Sequence, residues 1–208
     1  LSVIDGKAQR VLRSETLEDG QRKGLLQIRS QVQRLSEIVR QLLDFGRAAG
    51  RPVRRMPAEV LAHSSAAAVA DELAVLNVTL QLEAAPEPLF CEVDPPRFEQ
   101  ALTNLLRNAA QASPGGQVLL RWWREEGCLL FQVEDDGPGV AEQHRAALFE
   151  PFFTTKPVGQ GSGLGLAVAH GVVAECGGRI ELVESSLGGA AFRISLALAG
   201  EEDGDANG

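Results

Sequence analysis

A heptad repeat of apolar residues between positions 22 and 47 restricts the fold of this chain more than any other feature. Residues spaced alternately three and four apart share one face of an α-helix, so the repeat predicts a long helix that packs on other helices. Residues 1–17 also have apolar side chains at helical spacing, and the polar stretch 18–21 predicts a turn. The sequence therefore predicts a helical hairpin. The apolar positions of the heptad seam are Leu25, Ile28, Val32, Leu35, Val39 and Leu42.

One hairpin cannot bury both of its own apolar stripes. Pairing with the hairpin of a second copy would complete a four-helix bundle, so we expect a homodimer that forms through residues 1–48. The alternative is that the seam packs on the rest of the chain. A seam that stays regular over nearly three heptads is more typical of association between helices, which favours the dimer.

Changes in composition divide the chain into parts. Glycine, proline and arginine residues end the heptad pattern at 46–57, and such breaks mark domain boundaries. An acidic, glycine-containing stretch at the carboxyl end is expected to be disordered. We expect a hairpin at 1–48, a linker at 49–56, a folded domain at 57–199 and a tail at 200–208.

The folded domain contains helical and strand-like segments that do not alternate as βαβ units. This order predicts an α+β fold in which helices cover one face of a mixed or antiparallel sheet. Three helices are expected, near 58–76, 95–112 and 163–176. The expected strands lie near 78–83, 90–93, 117–124, 128–134, 179–184 and 190–198.

Composition excludes several classes of partner. The net charge of −8 argues against nucleic acid, because affinity for the phosphate backbone depends on clustered Lys and Arg. No stretch approaches the roughly 18 apolar residues of a membrane helix, so we expect no membrane contact from this fragment, although a longer parent protein could be anchored elsewhere. The cysteines show no CxxC spacing, so we expect reduced thiols and a cytoplasmic location. They are Cys91, Cys128 and Cys176.

The predicted helix 95–112 carries amide side chains on one face. It follows Asp94, an acidic residue suited to the N-cap position, and begins with proline. Its apolar residues recur by four and three, which leaves Asn104, Asn108 and Gln111 together on a second, displayed face. On its own, such a face is usually solvated.

The segment 133–140 runs from an apolar strand into a glycine-rich turn that contains Asp135. Its glycines, Gly137 and Gly139, would let the backbone approach a flat ligand closely. A buried carboxylate at this place can accept a hydrogen bond from an exocyclic amine such as that of adenine. The same residues could also form an ordinary turn without a ligand.

A second glycine-rich stretch, 159–166, opens directly onto a predicted helix. Exposed N–H groups and the positive end of the helix dipole favour phosphate there, although the stretch is neither a dinucleotide fingerprint nor a P-loop. Residues 148–156, between the two glycine-rich stretches, combine three phenylalanines with two threonines and Lys156. That composition is typical of a mobile lid.

Together and in this order, the four segments resemble the N, G1, F and G2 boxes of the Bergerat ATP-binding fold. The matching stretches are 104–109, 135–139, 149–156 and 161–166. The resemblance covers residues 52–199. With the preceding hairpin, the chain resembles the dimerisation and catalytic region of bacterial sensor histidine kinases, particularly those of the nitrogen-regulation type. This resemblance implies a Bergerat α/β sandwich with a mixed sheet, and ATP and Mg²⁺ as cofactors.

The resemblance also implies catalytic roles. Asn108 would ligate the Mg²⁺ that bridges the phosphates, and Lys156 is a further catalytic candidate through phosphate contact. Hydrolases of the same superfamily carry a glutamate at the position of Asn104. An amide cannot serve as a general base, so transfer to a protein is favoured over hydrolysis.

The remaining implied contacts are with the nucleotide. Asp135 would bind the adenine amino group, while Gly137 and Gly139 would shape the pocket wall. The other implied nucleotide contacts are Asn104, Asn108, Thr155, Lys156, Gly161, Ser162, Gly163, Leu164 and Gly165.

The implied reaction is transfer of the ATP γ-phosphoryl group to a histidine on the dimerisation helix, and then to an aspartate of a response-regulator receiver domain. Residues 1–4 resemble the stretch just after the family's acceptor motif. We therefore expect that this fragment lacks the acceptor and does not autophosphorylate. None of the histidines, His63, His144 and His170, occupies the acceptor position.

Two other functions stay open. A protein serine kinase of the anti-sigma-factor type shares the nucleotide boxes but lacks a preceding hairpin, so the heptad seam speaks against it. A dimeric signalling scaffold that binds nucleotide without transferring phosphate is the second alternative. The intact boxes oppose it, but sequence does not prove turnover.

Overall fold

The structure is a computed structural model that describes residues 2–12, 20–29, 31–32, 52–156 and 161–199. The chain divides into two compact units, each with its own internal packing. The smaller unit comprises Leu1–Ala49 and Phe152–Leu164, and the larger unit comprises Gly50–Pro151 and Gly165–Gly208.

The described part of the amino-terminal segment is helical. Helix α1 covers Ser2–Leu12, and residues 20–29, named α2, are helical together with residues 31–32. Arg22 of α2 donates a hydrogen bond from Nη1 to the carbonyl of Leu12 at 3.3 Å. This contact joins the facing ends of the two helices.

The predicted heptad seam lies partly within the described residues. Val32 is buried and Leu25 is half-buried, whereas Ile28 is 51% exposed. Part of the apolar seam therefore remains at the surface of a single chain. The seam positions Leu35, Val39 and Leu42 lie outside the described residues, as do linker residues 49–51 and the tail from 200 onward.

The larger unit contains two sheets. Its strands are β1 (Arg54–Pro57), β2 (Thr79–Glu83), β3 (Phe90–Val93), β4 (Gln117–Glu125), β5 (Cys128–Asp135), β6 (Arg179–Glu184) and β7 (Ala190–Ala197). Strands β1 and β3 form an antiparallel pair. The other five form a sheet in the order β2-β4-β5-β7-β6, in which β2 and β4 are parallel and the other pairs antiparallel.

Helices complete the larger unit. They are α3 (Ala58–Ala68), α4 (Ala70–Leu76), α5 (Pro95–Ala112), α6 (Gly165–Glu175) and a 3₁₀ helix (Glu142–Ala147). Every helix within the described ranges is too short or too polar to span a lipid bilayer.

The prediction of an α+β fold with a mixed sheet is confirmed. The helix predicted over 58–76 is interrupted at Val69, where φ is −108° and ψ is 1°, so that α3 ends and α4 begins. The Val69 side chain is fully buried at this break. Strand β1 begins at Arg54, inside the stretch predicted as linker, because it pairs with β3.

The two faces of the five-stranded sheet differ in character. Side chains alternate along a strand, and Phe131 of β5 contacts Phe98 of α5 with ring centroids 5.4 Å apart, so this face carries the helices. The neighbouring residues Gln132 and Glu134 point to the opposite face. There Gln132 lies in register with Arg121 of β4.

Candidate nucleotide-binding site

Helix α5 carries the two asparagines of the predicted site. At Asp94 the backbone is extended, with φ −79° and ψ 107°, as an N-cap requires, but the carboxylate makes no capping hydrogen bond. Asn104 is only 5% exposed and donates from Nδ2 to the carbonyl of Gly165 at 3.2 Å. The prediction that the Asn104 amide lies on a displayed face of the helix is wrong, because the amide is buried against Gly165, the first residue of α6.

Asn108 lies one helical turn after Asn104 and is half-buried. Its side chain makes no hydrogen bond to another residue within the described ranges. A Cβ atom on Gly165 would lie 3.7 Å from Nδ2 of Asn108 and 3.9 Å from Cβ of Asn104, so these three residues meet where α6 begins. The amide oxygen of Asn108 is a suitable donor for a hard divalent cation.

Asp135 ends strand β5 and is 2% exposed. Its Oδ1 atom accepts hydrogen bonds from the backbone N–H groups of Gly137 and Ala190, both at 3.0 Å. Among the described residues, no hydrogen bond reaches Oδ2. Two backbone donors therefore fix the carboxylate, and its second oxygen stays available for a ligand.

The electrostatic environment of Asp135 opposes ionisation. Burial raises the pKa of this carboxyl above its ordinary value, and the nearby Asp136 raises it further. The N–H groups of Ala190 and Gly137 act in the opposite direction, because they stabilise the charged form. A hydrogen-bond donor on a ligand would likewise stabilise the charged carboxylate and offset the cost of its burial.

Close backbone approach explains why glycines surround this carboxylate. A Cβ atom on Gly189 would lie 2.3 Å from Oδ1 of Asp135, and one on Gly137 would lie 2.7 Å from the carbonyl of Ala112 at the end of α5. Gly139 has a φ of +70°, and its Cβ would lie 3.4 Å from the Gly189 carbonyl. The turn after β5 is thus packed between α5 and the connection from β6 to β7.

The second part of the lid, residues 152–156, belongs to the smaller unit, as do Gly161 and Gly163 of the second glycine-rich stretch. Phe152 donates from its backbone N–H to the carbonyl of Gly163 at 2.9 Å, and Gly163 adopts a φ of +67°. A Cβ atom there would lie 2.4 Å from the Phe152 backbone, so glycine is required. A Cβ atom on Gly161 would lie 2.9 Å from Oγ1 of Thr154 and 3.3 Å from Cδ of Lys156.

Other predicted lid contacts are local. The Lys156 N–H donates to Oγ1 of Thr154 at 3.2 Å, and the Leu164 N–H donates to Oγ of Ser162 at 3.3 Å. Burial lowers the pKa of the Lys156 ammonium. Thr155 is exposed, and residues 157–160 lie outside the described residues.

The first part of the lid is held by ring contacts within the larger unit. Phe149 lies 5.2 Å from the His170 ring of α6 and 6.3 Å from the Phe192 ring of β7. His63 instead contacts Trp122 at 6.2 Å. His144 is half-buried in the 3₁₀ helix.

Comparison with known proteins identifies this arrangement. Residues 93–200, just over half of the chain, match the family of histidine kinase-, DNA gyrase B- and HSP90-like ATPases. The chain belongs to this ATPase family. Its relatives and structural neighbours include sensor histidine kinases, so it is the ATP-binding catalytic region of a bacterial sensor histidine kinase.

Three of the similar proteins show the extent of the match. The chain is 31% identical over 191 residues to the C4-dicarboxylate transport sensor protein DctB of Pseudomonas aeruginosa, covering 90% of this chain and 31% of DctB. It is 32% identical over 206 residues to the sensor histidine kinase ZraS of Klebsiella oxytoca, covering 97% of this chain and 44% of ZraS. The structure of full-length ShkA in complex with AMPPNP is similar with a TM-score of 0.74 at 28% identity, covering 96% of this chain and 44% of ShkA. The chain therefore spans less than half of each protein.

Sequence reasoning missed several residues around Asp135 of the kinase. Gly189 and Ala190 contact its carboxylate, and the hydroxyl of Ser185 donates to its carbonyl at 3.1 Å. Two consecutive glycines before a predicted strand gave a turn signal. Nothing local indicated that this turn would meet Asp135, because the contact depends on pairing between β5 and β7.

Proposed function

We propose that this catalytic region transfers the γ-phosphoryl group of ATP to a histidine on the dimerisation helix of its parent kinase, from which it passes to an aspartate of a response-regulator receiver domain. One observation carries the proposal. The buried carboxylate of Asp135 is fixed through Oδ1 by two backbone donors, while Oδ2 has no partner among the described residues. The amino group of a nucleotide base would supply a hydrogen-bond donor to Oδ2.

Asp135 would accept a hydrogen bond from the adenine amino group through Oδ2. Because the carboxylate is buried, a missing partner there costs more than at a surface, which gives the site its preference for adenine. Gly137 and Gly139 would form the wall beside the base, where a side chain on Gly137 would collide with α5.

Asn108 would hold the magnesium ion through its amide oxygen. The residue fits this role because it is half-buried and its side chain has no hydrogen bond within the described part of the chain. No group of three or more His, Cys, Asp or Glu side chains among the described residues could hold a metal alone, so phosphate oxygens would supply further ligands. When bound, Mg²⁺ neutralises charge on the phosphates during transfer.

The lid and the second glycine-rich stretch would contact the phosphates. Family resemblance supports this role, and the backbone at Gly163 requires glycine, as expected of a segment that offers N–H groups to a ligand. Lys156 would add a positive charge. The other proposed contacts are Thr155, Gly161, Ser162, Leu164 and Gly165.

The environment of Asn104 favours phosphoryl transfer over hydrolysis. Its amide is buried and donates to the carbonyl of Gly165. A group of this kind has no useful basicity toward water. A protein acceptor would therefore receive the phosphoryl group.

A homodimer would form through the helical hairpin of residues 1–48. Ile28 of the seam and its neighbour Leu26 are each 51% exposed in the single chain, and a second hairpin would cover such apolar surface. The response regulator would dock on the hairpin, a proposal that rests on family analogy.

A phosphotransfer assay on the protein extended through the expected acceptor histidine tests the proposal. With ATP and Mg²⁺ we expect acid-labile, base-stable phosphate on the histidine, which then moves to a receiver domain. Acid-stable phosphate on a partner would indicate a serine kinase instead. Nucleotide binding without any transfer would indicate a signalling scaffold. The chain of 208 residues is itself expected to bind ATP.

A further inference from the structure

Glu134 is fully buried on the sheet face opposite the helices, one position before Asp135. Its Oε1 atom accepts a hydrogen bond from Nε2 of Gln132 at 2.9 Å. The same oxygen forms an ion pair with Nη2 of Arg121, also at 2.9 Å. Its Oε2 atom receives the backbone N–H of Ser186 at 2.6 Å and the Ser186 hydroxyl at 2.9 Å. One oxygen thus holds neighbouring side chains of the sheet, and the other holds the connection between β6 and β7.

The connection between β6 and β7 also contacts the next residue of β5, Asp135. The Ser185 hydroxyl and the Gly189 N–H both donate to the Asp135 carbonyl, at 3.1 and 3.0 Å. The next N–H, that of Ala190, donates to Oδ1 of Asp135. The connection at 185–190 is therefore held by two consecutive acidic residues, whose side chains point to opposite faces of β5.

A second layer of side chains orients Glu134. Gln132, also fully buried, accepts a hydrogen bond from Nε of Arg193 at 2.8 Å while its amide donates to Glu134. The guanidinium groups of Arg121 and Arg193 lie 4.9 and 5.4 Å from the ring of Trp123. These contacts fix the direction of the Gln132 amide, so Oε1 of Glu134 faces donors only.

From this geometry we infer that Glu134 is a positioning residue for adenine recognition: by holding Ser186 it sets the β6–β7 connection, so that the N–H of Ala190 fixes the Asp135 carboxylate and the N–H of Gly189 fixes the Asp135 carbonyl. The inference rests on the proposed function, in which Oδ2 of Asp135 binds the adenine amino group. Burying an ion pair is a weak source of stability compared with apolar packing. The geometric requirement of Asp135 gives a reason for a charged group at this buried position.

The substitution Glu134→Gln tests the inference with little change in shape. An amide cannot accept from the donors on both sides, so either Ser186 or the Arg121 and Gln132 pair would face an N–H₂ group. Glu181→Gln is the matched control, because Glu181 lies in register with Arg193 on the same sheet face but on the edge strand β6. The control should leave nucleotide binding unchanged.

The readout is the affinity of the full chain for ATP and for purine riboside triphosphate, which lacks the 6-amino group, each measured by calorimetry with Mg²⁺. For Glu134→Gln we expect the ATP affinity to fall about tenfold while the affinity for the analogue changes little. Hydrogen exchange at Ala190 and Gly189 should become faster. Equal losses for both nucleotides, or no loss for ATP, would overturn the positioning role.

Two further measurements keep the outcomes distinct. If the wild-type chain itself fails to bind ATP, the proposed function is wrong, whatever Glu134 does. If Glu134→Gln does not fold, Ser186→Ala removes only the hydroxyl donor to Oε2 and must show the same selective loss to a smaller degree. An unchanged ratio of the two affinities in Ser186→Ala would then refute the inference.

Discussion

Asp135 and Gly189 are packed so closely that a Cβ atom on the glycine would lie 2.3 Å from Oδ1 of the carboxylate. Strand pairing between β5 and β7 creates this contact. The position of the proposed adenine-binding group therefore depends on the absence of a side chain in a distant part of the sequence.

We predict that Gly189→Ala displaces the Asp135 carboxylate and weakens ATP binding at least about tenfold, with a loss of about 1–3 kcal/mol in the free energy of unfolding. Calorimetric titration and urea unfolding measure the two effects. Gly24→Ala is the control, since a Cβ atom there meets nothing within 4 Å. Wild-type affinity in Gly189→Ala would contradict the assigned role of Asp135.

Asp135→Asn should separate binding from stability. Burial raises the pKa of Asp135 in the folded state, so its ionised form destabilises the fold once the pH exceeds that pKa, and the penalty disappears below the unfolded pKa. The amide can still accept through Oδ1. We therefore expect Asp135→Asn to be at least as stable as wild type near neutral pH in urea unfolding, yet to lose ATP binding.

Asp136→Asn provides a control of opposite sign. A hydrogen bond with the Gln117 backbone is the main cause that lowers the pKa of Asp136, so this residue contributes stability above its unfolded pKa, which is lost as the pH falls. Near neutral pH we expect Asp136→Asn to be less stable than wild type. If both asparagine variants changed stability in the same direction, the electrostatic assignment would be wrong.

Asn108→Ala should remove the part of nucleotide affinity that depends on magnesium. Its side chain has no hydrogen bond to a residue within the described ranges, so the free energy of unfolding should change by no more than about 0.5 kcal/mol. Titrations of ATP with Mg²⁺ and with a chelator measure the difference. Gln111→Ala, on the exposed part of α5, should keep the full magnesium dependence.

Asn104→Ala should act mainly on stability. It removes the donor to the Gly165 carbonyl at the junction of α5 and α6, so we expect a loss of about 1–3 kcal/mol in the free energy of unfolding. ATP hydrolysis should stay as low as in wild type. A large fall in hydrolysis would show instead that Asn104 takes part in activating water.

Local signals in the sequence were sufficient for much of the fold. Helix α5 has its predicted bounds, because Asp94 and Pro95 start it and a proline and two glycines follow its end. The break at Val69 was not predictable, since residues 58–76 contain no glycine or proline and their helical pattern continues across it.

The residues of the candidate site also fall into two groups, those that the sequence predicted and those that it missed. Asn108 and Asp135 were predicted because they belong to two of the four ordered motifs that carry the family resemblance. Glu134 and Gly189 were missed, since their contacts depend on which strands pair. The burial of Asn104 was also missed, because helical periodicity does not reveal that the start of α6 covers this face of α5.

The most direct test of the account is a structure of this chain with a non-hydrolysable ATP analogue and Mg²⁺. We predict that the adenine amino group donates to Oδ2 of Asp135 and that the amide oxygen of Asn108 binds the metal. A nucleotide seated away from these two side chains, or one that contacts neither, would contradict the account.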